Sequence, residues 1–114
     1  MKGGDERFAA VVPTLGATDV GRCLAALAGQ VPRPLIIAVA QGDVATAALR
    51  QADRVLSHPR PIGFARPVNL GIATTSARFV AVVNDDAVVE EDWAGNLIAA
   101  LEREPRAAAA QGVN

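Results

Sequence analysis

The chain has 114 residues, of which 51% are hydrophobic and 20% are charged, and its formal net charge at pH 7 is −1. This length suits a single domain, and the composition is typical of a folded globular protein rather than a disordered one. The 11 basic and 12 acidic residues are spread along the chain, and aromatic residues make up only 4% of it. Without a basic stripe or a cluster of aromatic residues, the sequence predicts no nucleic-acid partner.

Cysteine usage and the apolar stretches indicate the compartment. The single cysteine, Cys23, excludes an internal disulfide and is typical of a protein from a reducing environment. The polar start at 1–7 does not resemble a signal peptide, and the longest apolar stretches are well short of the ~20 residues that a membrane-spanning helix needs. We therefore expect a cytoplasmic protein, in which any membrane association comes from parts outside this chain.

Apolar runs alternate with helical patterns in the first half of the chain. Pro13 stops the first apolar run, and Thr18 and Asp19 are good N-caps for a helix that Gly29 ends. Asp43 can cap a second, alanine-rich helix. The predicted elements are a strand at 8–12, a helix from about 20 to 28, a strand at 35–39, a helix at 44–52 and a strand at 54–57.

The second half continues this alternation. Phe64, Val68 and Ile72 recur at every fourth residue, which predicts a helix with these side chains on its apolar face and with Pro67 in its first turn. Trp93 belongs to the apolar face of a later helix. The predicted elements are a helix at 64–75, a strand at 79–83, a helix at 90–103 and a last strand at 107–110, which could instead extend that helix.

Strands that alternate with helices predict right-handed crossovers and a mostly parallel sheet. The predicted fold class is therefore α/β, an open sheet flanked by helices, with residues 1–114 forming one domain. The sequence ends at Asn114 without a closing helix or a polar tail. We expect an incomplete domain, with an unpaired sheet edge or an exposed apolar face near 107–113.

The most informative stretch is Asn84-Asp85-Asp86, directly after the apolar run at 79–83. A continuous, β-branched run of this kind predicts a strand buried on both faces. Open α/β sheets bind ligands at the C-terminal ends of their strands, and two adjacent carboxylates repel each other unless a cation or hydrogen-bond donors neutralise them. The alternative is an ordinary turn, because Asn and Asp are common turn formers.

Three stretches in chain order carry a family resemblance. They are Val11-Val12-Pro13-Thr14, the glycine-bounded segment at 63–73, and the strand with its acidic pair at 79–93. Together they resemble the nucleotide-sugar-binding half of a family 2 glycosyltransferase with the GT-A fold. The resemblance covers about 8–112 and implies a Rossmann-like half of that fold, with the acceptor-binding part absent from the chain.

The resemblance implies a nucleotide-diphosphate sugar as ligand and Mg²⁺ or Mn²⁺ as cofactor, because a divalent cation can bridge carboxylate and phosphate oxygens. Asp86 is the better candidate for the metal ligand, and Asp85 is expected to face the ribose or the sugar. The residues implied to bind the nucleotide sugar are Pro13, Thr14, Arg66, Asn69, Asn84 and Asp85, and those implied to bind the metal are Asp86 and Asp85. The alternatives are a strand stop for Pro13, exposed helix positions for Arg66 and Asn69, and a helix cap for the acidic pair.

Two departures from the family bear on function. The family usually has an acidic residue at the end of strand two that contacts the base or ribose, whereas this sequence has Ala40, with Gln41 or Asp43 as substitutes and an altered base preference. The general base and the acceptor site of the family lie downstream of this sequence, and no Asp or Glu follows Glu104. We therefore assign no catalytic residue and expect the isolated chain to be poorly active.

The predicted function is transfer of a sugar from a nucleotide-diphosphate sugar to an acceptor hydroxyl, where the acceptor is a glycan, lipid or protein. The first alternative is a non-catalytic or truncated nucleotide-sugar-binding module. The second is a sugar nucleotidyltransferase, which would need a basic, glycine-rich loop after the first strand. Residues 15–18 contain no basic residue, so this second alternative is disfavoured.

Overall fold

The computed structural model describes residues 5–104, with side chains described from Arg7 onward. Strands and helices alternate along this part of the chain. The elements are β1 (Asp5–Thr14), α1 (Val20–Ala28), β2 (Pro34–Gln41), a 3₁₀ helix (Thr46–Leu49), β3 (Arg54–His58), α2 (Ala65–Ala73), β4 (Phe79–Val82) and α3 (Trp93–Arg103). No helix among these residues is both long enough and apolar enough to cross a membrane.

The four strands form one parallel sheet in the order β3-β2-β1-β4, which confirms the predicted fold class. Because β1 and β2 are central, apolar side chains cover both of their faces. Val12 belongs to a core cluster that includes residues of α1 and α3. Val11 and Ile37 belong to a second cluster on the opposite face. The sheet therefore separates two cores and keeps its C-terminal edge clear for a site.

The prediction that the fourth strand is buried on both faces is wrong. Phe79, Val80 and Ala81 are only partly buried, and Val82 is 43% exposed. The cause is the strand order, because among the described residues β4 pairs only with β1 and lies at an edge of the sheet. The apolar run identified the strand but could not indicate its place in the sheet.

The predicted helix at 44–52 is also wrong. This segment forms only the short 3₁₀ helix, and Ala45, not Asp43, occupies its N-cap position. Short helices are marginal unless packing supports them. A single turn already buries Leu49 and Ala52 against the core, so a longer helix would add little buried surface. The predicted strand at 107–110 lies outside the described residues.

Helix α2 presents a different face to the sheet from the one that the apolar spacing predicts. Pro67 and Gly71 are its buried residues, whereas Phe64 and Ile72 are exposed. A Cβ placed on Gly71 would lie 2.5 Å from a methyl carbon of Val11. The missing side chain of Gly71 therefore lets the helix pack directly against β1.

Helix α3 begins at Trp93, three residues later than predicted. The Trp93 ring is buried and lies 5.7 Å from the ring of Phe8, centroid to centroid, so it packs the helix against the sheet. The buried amide of Gln30 joins α1 to this helix. Its nitrogen donates to the carbonyl of Glu90 at 2.8 Å, and its oxygen accepts the N–H of Ala94 at 2.9 Å.

Cys23 is fully buried on α1, as predicted for a core residue. Its Sγ–H donates to the carbonyl oxygen of Asn84 over 3.4 Å, which joins α1 to the loop after β4. Burial, with a smaller contribution from the negative charges of Asp85 and Asp86, raises the pKa of the Cys23 thiol from 9.0 to about 12. The thiol is therefore protonated and unreactive at neutral pH.

We expect Gly71→Ala to lower the free energy of unfolding by up to about 2 kcal/mol. Overpacking against Val11 costs about 1–3 kcal/mol, and the better helix propensity of alanine offsets only about 1 kcal/mol of that cost. Gly95→Ala in α3 is the matched control, because its Cβ would meet its nearest neighbour, a carbonyl oxygen, at 3.7 Å. This control should be neutral or stabilising. Urea unfolding followed by circular dichroism measures both, and equal stability of the two variants would contradict the packing argument.

Labelling with a thiol reagent at pH 8 should be far slower for the folded chain than for the chain in urea. A pKa of about 12 leaves about one thiol in ten thousand ionised at this pH, whereas the ordinary pKa of the thiol is 9.0. The raised pKa also means that the protonated thiol stabilises the fold below pH 9.0 and that this contribution is lost as the pH rises towards 12. Rapid labelling of the native chain at pH 8 would show that Cys23 is accessible.

Candidate functional site

A crevice of about 710 Å³ opens at the C-terminal edge of the sheet. Parallel strands all end at the same edge, so loops from different strands meet there. The crevice is lined by residues 13–17 after β1, by Gln41 at the end of β2, by Pro61 with residues 63–64 before α2, and by residues 84–86 after β4. We call residues 84–86 the acidic loop.

A hydrogen bond joins the end of β1 to the acidic loop. Oγ1 of Thr14 donates to Oδ2 of Asp85 over 2.8 Å and accepts the N–H of Gly16 at 2.9 Å. Thr14 is only 1% exposed. Its one hydroxyl hydrogen is used by Asp85, which fixes the rotamer of that carboxylate, while Oδ1 of Asp85 has no hydrogen-bond partner among residues 5–104.

The turn after β1 depends on the backbone conformation of Gly16. Its φ is +90°, in the region that side chains rarely adopt and glycine adopts freely. This turn folds the chain back so that the Gly16 N–H reaches the Thr14 hydroxyl. A second glycine with positive φ, Gly63 at +89°, lies across the crevice just before α2.

The acidic loop is held from two further directions. The carbonyl oxygen of Asn84 accepts a hydrogen bond from the N–H of Ala87 at 3.0 Å, which closes the turn. The same oxygen also accepts the hydrogen bond from the Cys23 thiol described above. Asp85 is partly buried, whereas Asp86 is exposed. One carboxylate is thus fixed by the protein, and the other projects toward solvent at the mouth of the crevice.

Gln41 forms the opposite end of the crevice. It is only 4% exposed, and its Oε1 accepts the N–H of Ile62 at 2.8 Å, which fixes the loop between β3 and α2. Ala40, where the family usually has an acidic residue, lies in the core on the α1 side of the sheet. The side chain that faces the crevice at the end of β2 is therefore Gln41.

The structure brings together most of the predicted site residues. Pro13 and Thr14 lie in one crevice with Asn84, Asp85 and Asp86, at the edge of the sheet where the acidic pair was expected. Two others are not brought in: Arg66 and Asn69 are exposed residues of α2 and do not line the crevice. The binding roles of all seven stay predictions.

Several lining residues were missed by sequence reasoning. Phe64 was assigned to the apolar face of α2 but is 61% exposed and lines the crevice instead. Leu15 and Pro61 line it as well. The sequence signal for this wall was the loop with two prolines and a glycine at 58–63, which lies directly before the helix and leads into its exposed N-cap residue, Phe64.

Comparisons with known proteins agree with this architecture. The family model described as "Glycosyl transferase family 2" matches residues 10–114. The crystal structure of S. aureus TarS matches with a TM-score of 0.69 and 16% sequence identity, over 95% of this chain and 23% of that chain. At this identity the likeness to TarS concerns the fold, and the chain spans 23% of the length of TarS. No curated protein matches the sequence.

The residues matched by the family model include all three motifs that carry the resemblance. The third motif contains the acidic loop, which lines the crevice. Since the family match extends over nearly the whole sequence, the chain belongs to glycosyl transferase family 2.

Proposed function

We propose that the crevice binds the nucleotide-diphosphate part of a sugar donor, and that the protein transfers the sugar to an acceptor hydroxyl. The family implies glycosyl transfer with a nucleotide-sugar donor and an acceptor. The observation that carries the proposal is the acidic loop at the C-terminal edge of a parallel sheet, with one carboxylate held by Thr14 and the other exposed. Residues 1–114 are inferred to be the nucleotide-sugar-binding part of the enzyme.

The acidic loop is suited to a divalent cation that the substrate helps to hold. Carboxylates alone would repel a pyrophosphate, and hard cations such as Mg²⁺ and Mn²⁺ take oxygen ligands. No group of three or more metal-ligating side chains occurs among residues 5–104. A cation held by one or two carboxylates together with phosphate oxygens and water fits this donor set. When bound, such a cation neutralises charge on the leaving nucleotide diphosphate.

The two carboxylates have different roles in this proposal. Asp86 is exposed and unconstrained by a cap or an ion pair among the described residues, so it can move to ligate the cation. Asp85 is fixed by Thr14 and directs its remaining oxygen to the cation or to the ribose and sugar hydroxyls. Thr14 thus acts through Asp85, rather than by direct contact with the nucleoside through its hydroxyl.

A binding module without transferase activity is the second candidate function. The described residues bind and orient a donor in this proposal, and none of them is assigned as the base that deprotonates the acceptor. Binding and transfer can therefore be tested separately.

Nucleotide-diphosphate binding should require the cation, and Asp86→Ala should remove the cation-dependent part of the affinity because a charged ligand is lost. Calorimetry with UDP, CDP, GDP and ADP, with Mn²⁺ and then with EDTA, measures this. Asp92→Ala is the control, since Asp92 is also exposed and makes no capping hydrogen bond with its side chain. Equal affinity of the wild-type chain in Mn²⁺ and in EDTA would exclude the metal role.

Thr14→Val should weaken cation-dependent nucleotide binding by about tenfold or more, because a hydrogen bond to a charged group contributes about 1.5–3 kcal/mol. Thr14→Ser keeps the hydroxyl and should restore most of the affinity. Urea unfolding of both variants separates this effect from a general loss of structure. Wild-type affinity in a folded Thr14→Val variant would show that Asp85 does not need the bond.

A further inference from the structure

Gln30 follows the C-cap of α1 and carries a buried side-chain amide that the proposed function does not use. The residue is only 4% exposed. Its Nε2 donates to the carbonyl oxygens of Ala26 at 3.3 Å and Glu90 at 2.8 Å, and its Oε1 accepts the N–H of Ala94 at 2.9 Å. The bond to Ala94 fixes which end of the amide is the oxygen, because an N–H cannot donate to the amide nitrogen. Two of the three bonds therefore leave α1 and reach the chain that follows the acidic loop.

The start of α3 is capped by Gln30 and not by its own N-cap residue. Asp92 occupies the N-cap position and makes no side-chain capping hydrogen bond. Ala94 is the second residue of the helix, and its N–H has no acceptor within the helix. Gln30 supplies this acceptor, as an N-cap side chain normally does. The Glu90 carbonyl also accepts the N–H of Trp93 at 3.1 Å, so the same amide holds the turn that leads into α3.

A second contact from α1 holds the beginning of the same segment. The Cys23 thiol donates to the carbonyl oxygen of Asn84 over 3.4 Å, and Gln30 holds the carbonyl of Glu90. Cys23 and Gln30 are seven residues apart, which corresponds to roughly 10 Å along a helix. Residues 84–90 would span about 20 Å if they were fully extended. The segment is therefore longer than the distance between its two points of attachment, and these contacts restrict the path that it takes.

Asp86 lies between the two contacts and depends on them for its position. Its side chain is exposed, whereas the carboxylate of Asp85 is held by Thr14. Of the residues between the two contacts, only Val89 is buried in the core. Without the contact at Glu90, the chain on the α3 side of Asp86 is free to shift. The Asp86 carboxylate would then move relative to the fixed carboxylate of Asp85.

We propose that Gln30 is a positioning residue for the acidic loop, because it holds the Glu90 carbonyl and the start of α3 on α1 and so restricts where Asp86 can place its carboxylate. This inference rests on the proposed function. Gln30 does not line the crevice, so it acts through the main chain and not by contact with a ligand. A less restricted Asp86 loses more conformational entropy when it ligates a cation. The affinity for the cation therefore falls when the contact is removed.

Gln30→Met tests this role, because methionine has a similar length and makes none of the three hydrogen bonds. Calorimetric titration of Mn²⁺ into the chain together with UDP, CDP, GDP or ADP gives both the Mn²⁺ midpoint and the number of sites. We expect the midpoint to rise by about threefold to tenfold, the change that corresponds to one hydrogen bond of ordinary strength. The number of sites should stay the same, whereas a general loss of structure would lower it.

Ile37→Val is the matched control for loss of stability. Ile37 is fully buried on the opposite face of the sheet and does not line the crevice. The smaller side chain leaves a cavity that lowers stability, without altering the chain that follows the acidic loop. Its Mn²⁺ midpoint should equal that of the wild-type chain. A rise as large as that of Gln30→Met would show that loss of stability alone weakens Mn²⁺ binding, and would overturn the positioning role.

Gln30→Glu serves as the second variant if Gln30→Met does not fold. Its carboxylate still accepts the N–H of Ala94, and a negative charge at a helix N-terminus is favourable. At pH 8 an ionised carboxylate has no hydrogen to donate to the Glu90 carbonyl, so the contact with the segment is lost. An added negative charge attracts Mn²⁺, and a raised midpoint in this variant therefore reports the lost contact and not the charge.

The outcomes separate this inference from the proposed function. An unaltered midpoint in either folded variant would overturn the role of Gln30 and leave the proposed function intact. Unfolding of both variants would show that Gln30 supports the fold as a whole, and would overturn a role in positioning the acidic loop. Absence of Mn²⁺-dependent nucleotide binding by the wild-type chain would overturn both proposals.

Discussion

The crevice depends on how two adjacent carboxylates are held at the end of a strand that lies at the edge of the described sheet. An edge strand has only one neighbour to fix its end, and like charges side by side tend to drive the loop apart. The hydrogen bond from Thr14 to Asp85 links this loop to β1, which is central and buried. The bond spans 71 positions of sequence, so only the completed sheet can make it, and the site forms as a consequence of strand pairing.

The way in which the two carboxylates are held also explains why the groups that support the acidic loop are polar but uncharged. The Thr14 hydroxyl and the Cys23 thiol stabilise the acidic loop without neutralising it, and the Gly16 N–H in turn donates to the Thr14 hydroxyl. A lysine or arginine in their place would form an ion pair with Asp85 and occupy the oxygen that a cation needs. The loop is therefore fixed in shape while its negative charge stays available to a ligand of opposite sign.

Much of the architecture could be predicted from the sequence, because strands and helices were read from local patterns. The motif order placed Thr14 and Asp85 at one edge of the sheet, although no local pattern could reveal the bond between them. The orientation of α2 was missed because a prediction from hydrophobic spacing considers only apolar side chains, and Gly71 has no side chain. The close approach of Gly71 to Val11 nevertheless decides which face of the helix packs against the sheet. The exposure of β4 was missed because neighbours in a sheet are a property of the whole topology.

The negative charge of the acidic loop also favours a neutral residue at the other end of the crevice. A third carboxylate at the end of β2 would lie roughly 10 Å from the acidic loop, where two unit charges repel by about 0.4 kcal/mol in water and about 1.7 kcal/mol at an effective dielectric constant of 20. The neutral Gln41 avoids this repulsion and accepts a hydrogen bond from the N–H of Ile62. The charge of the crevice is thus confined to the acidic loop, and the uncharged side chains of Gln41 and Phe64 line its other end.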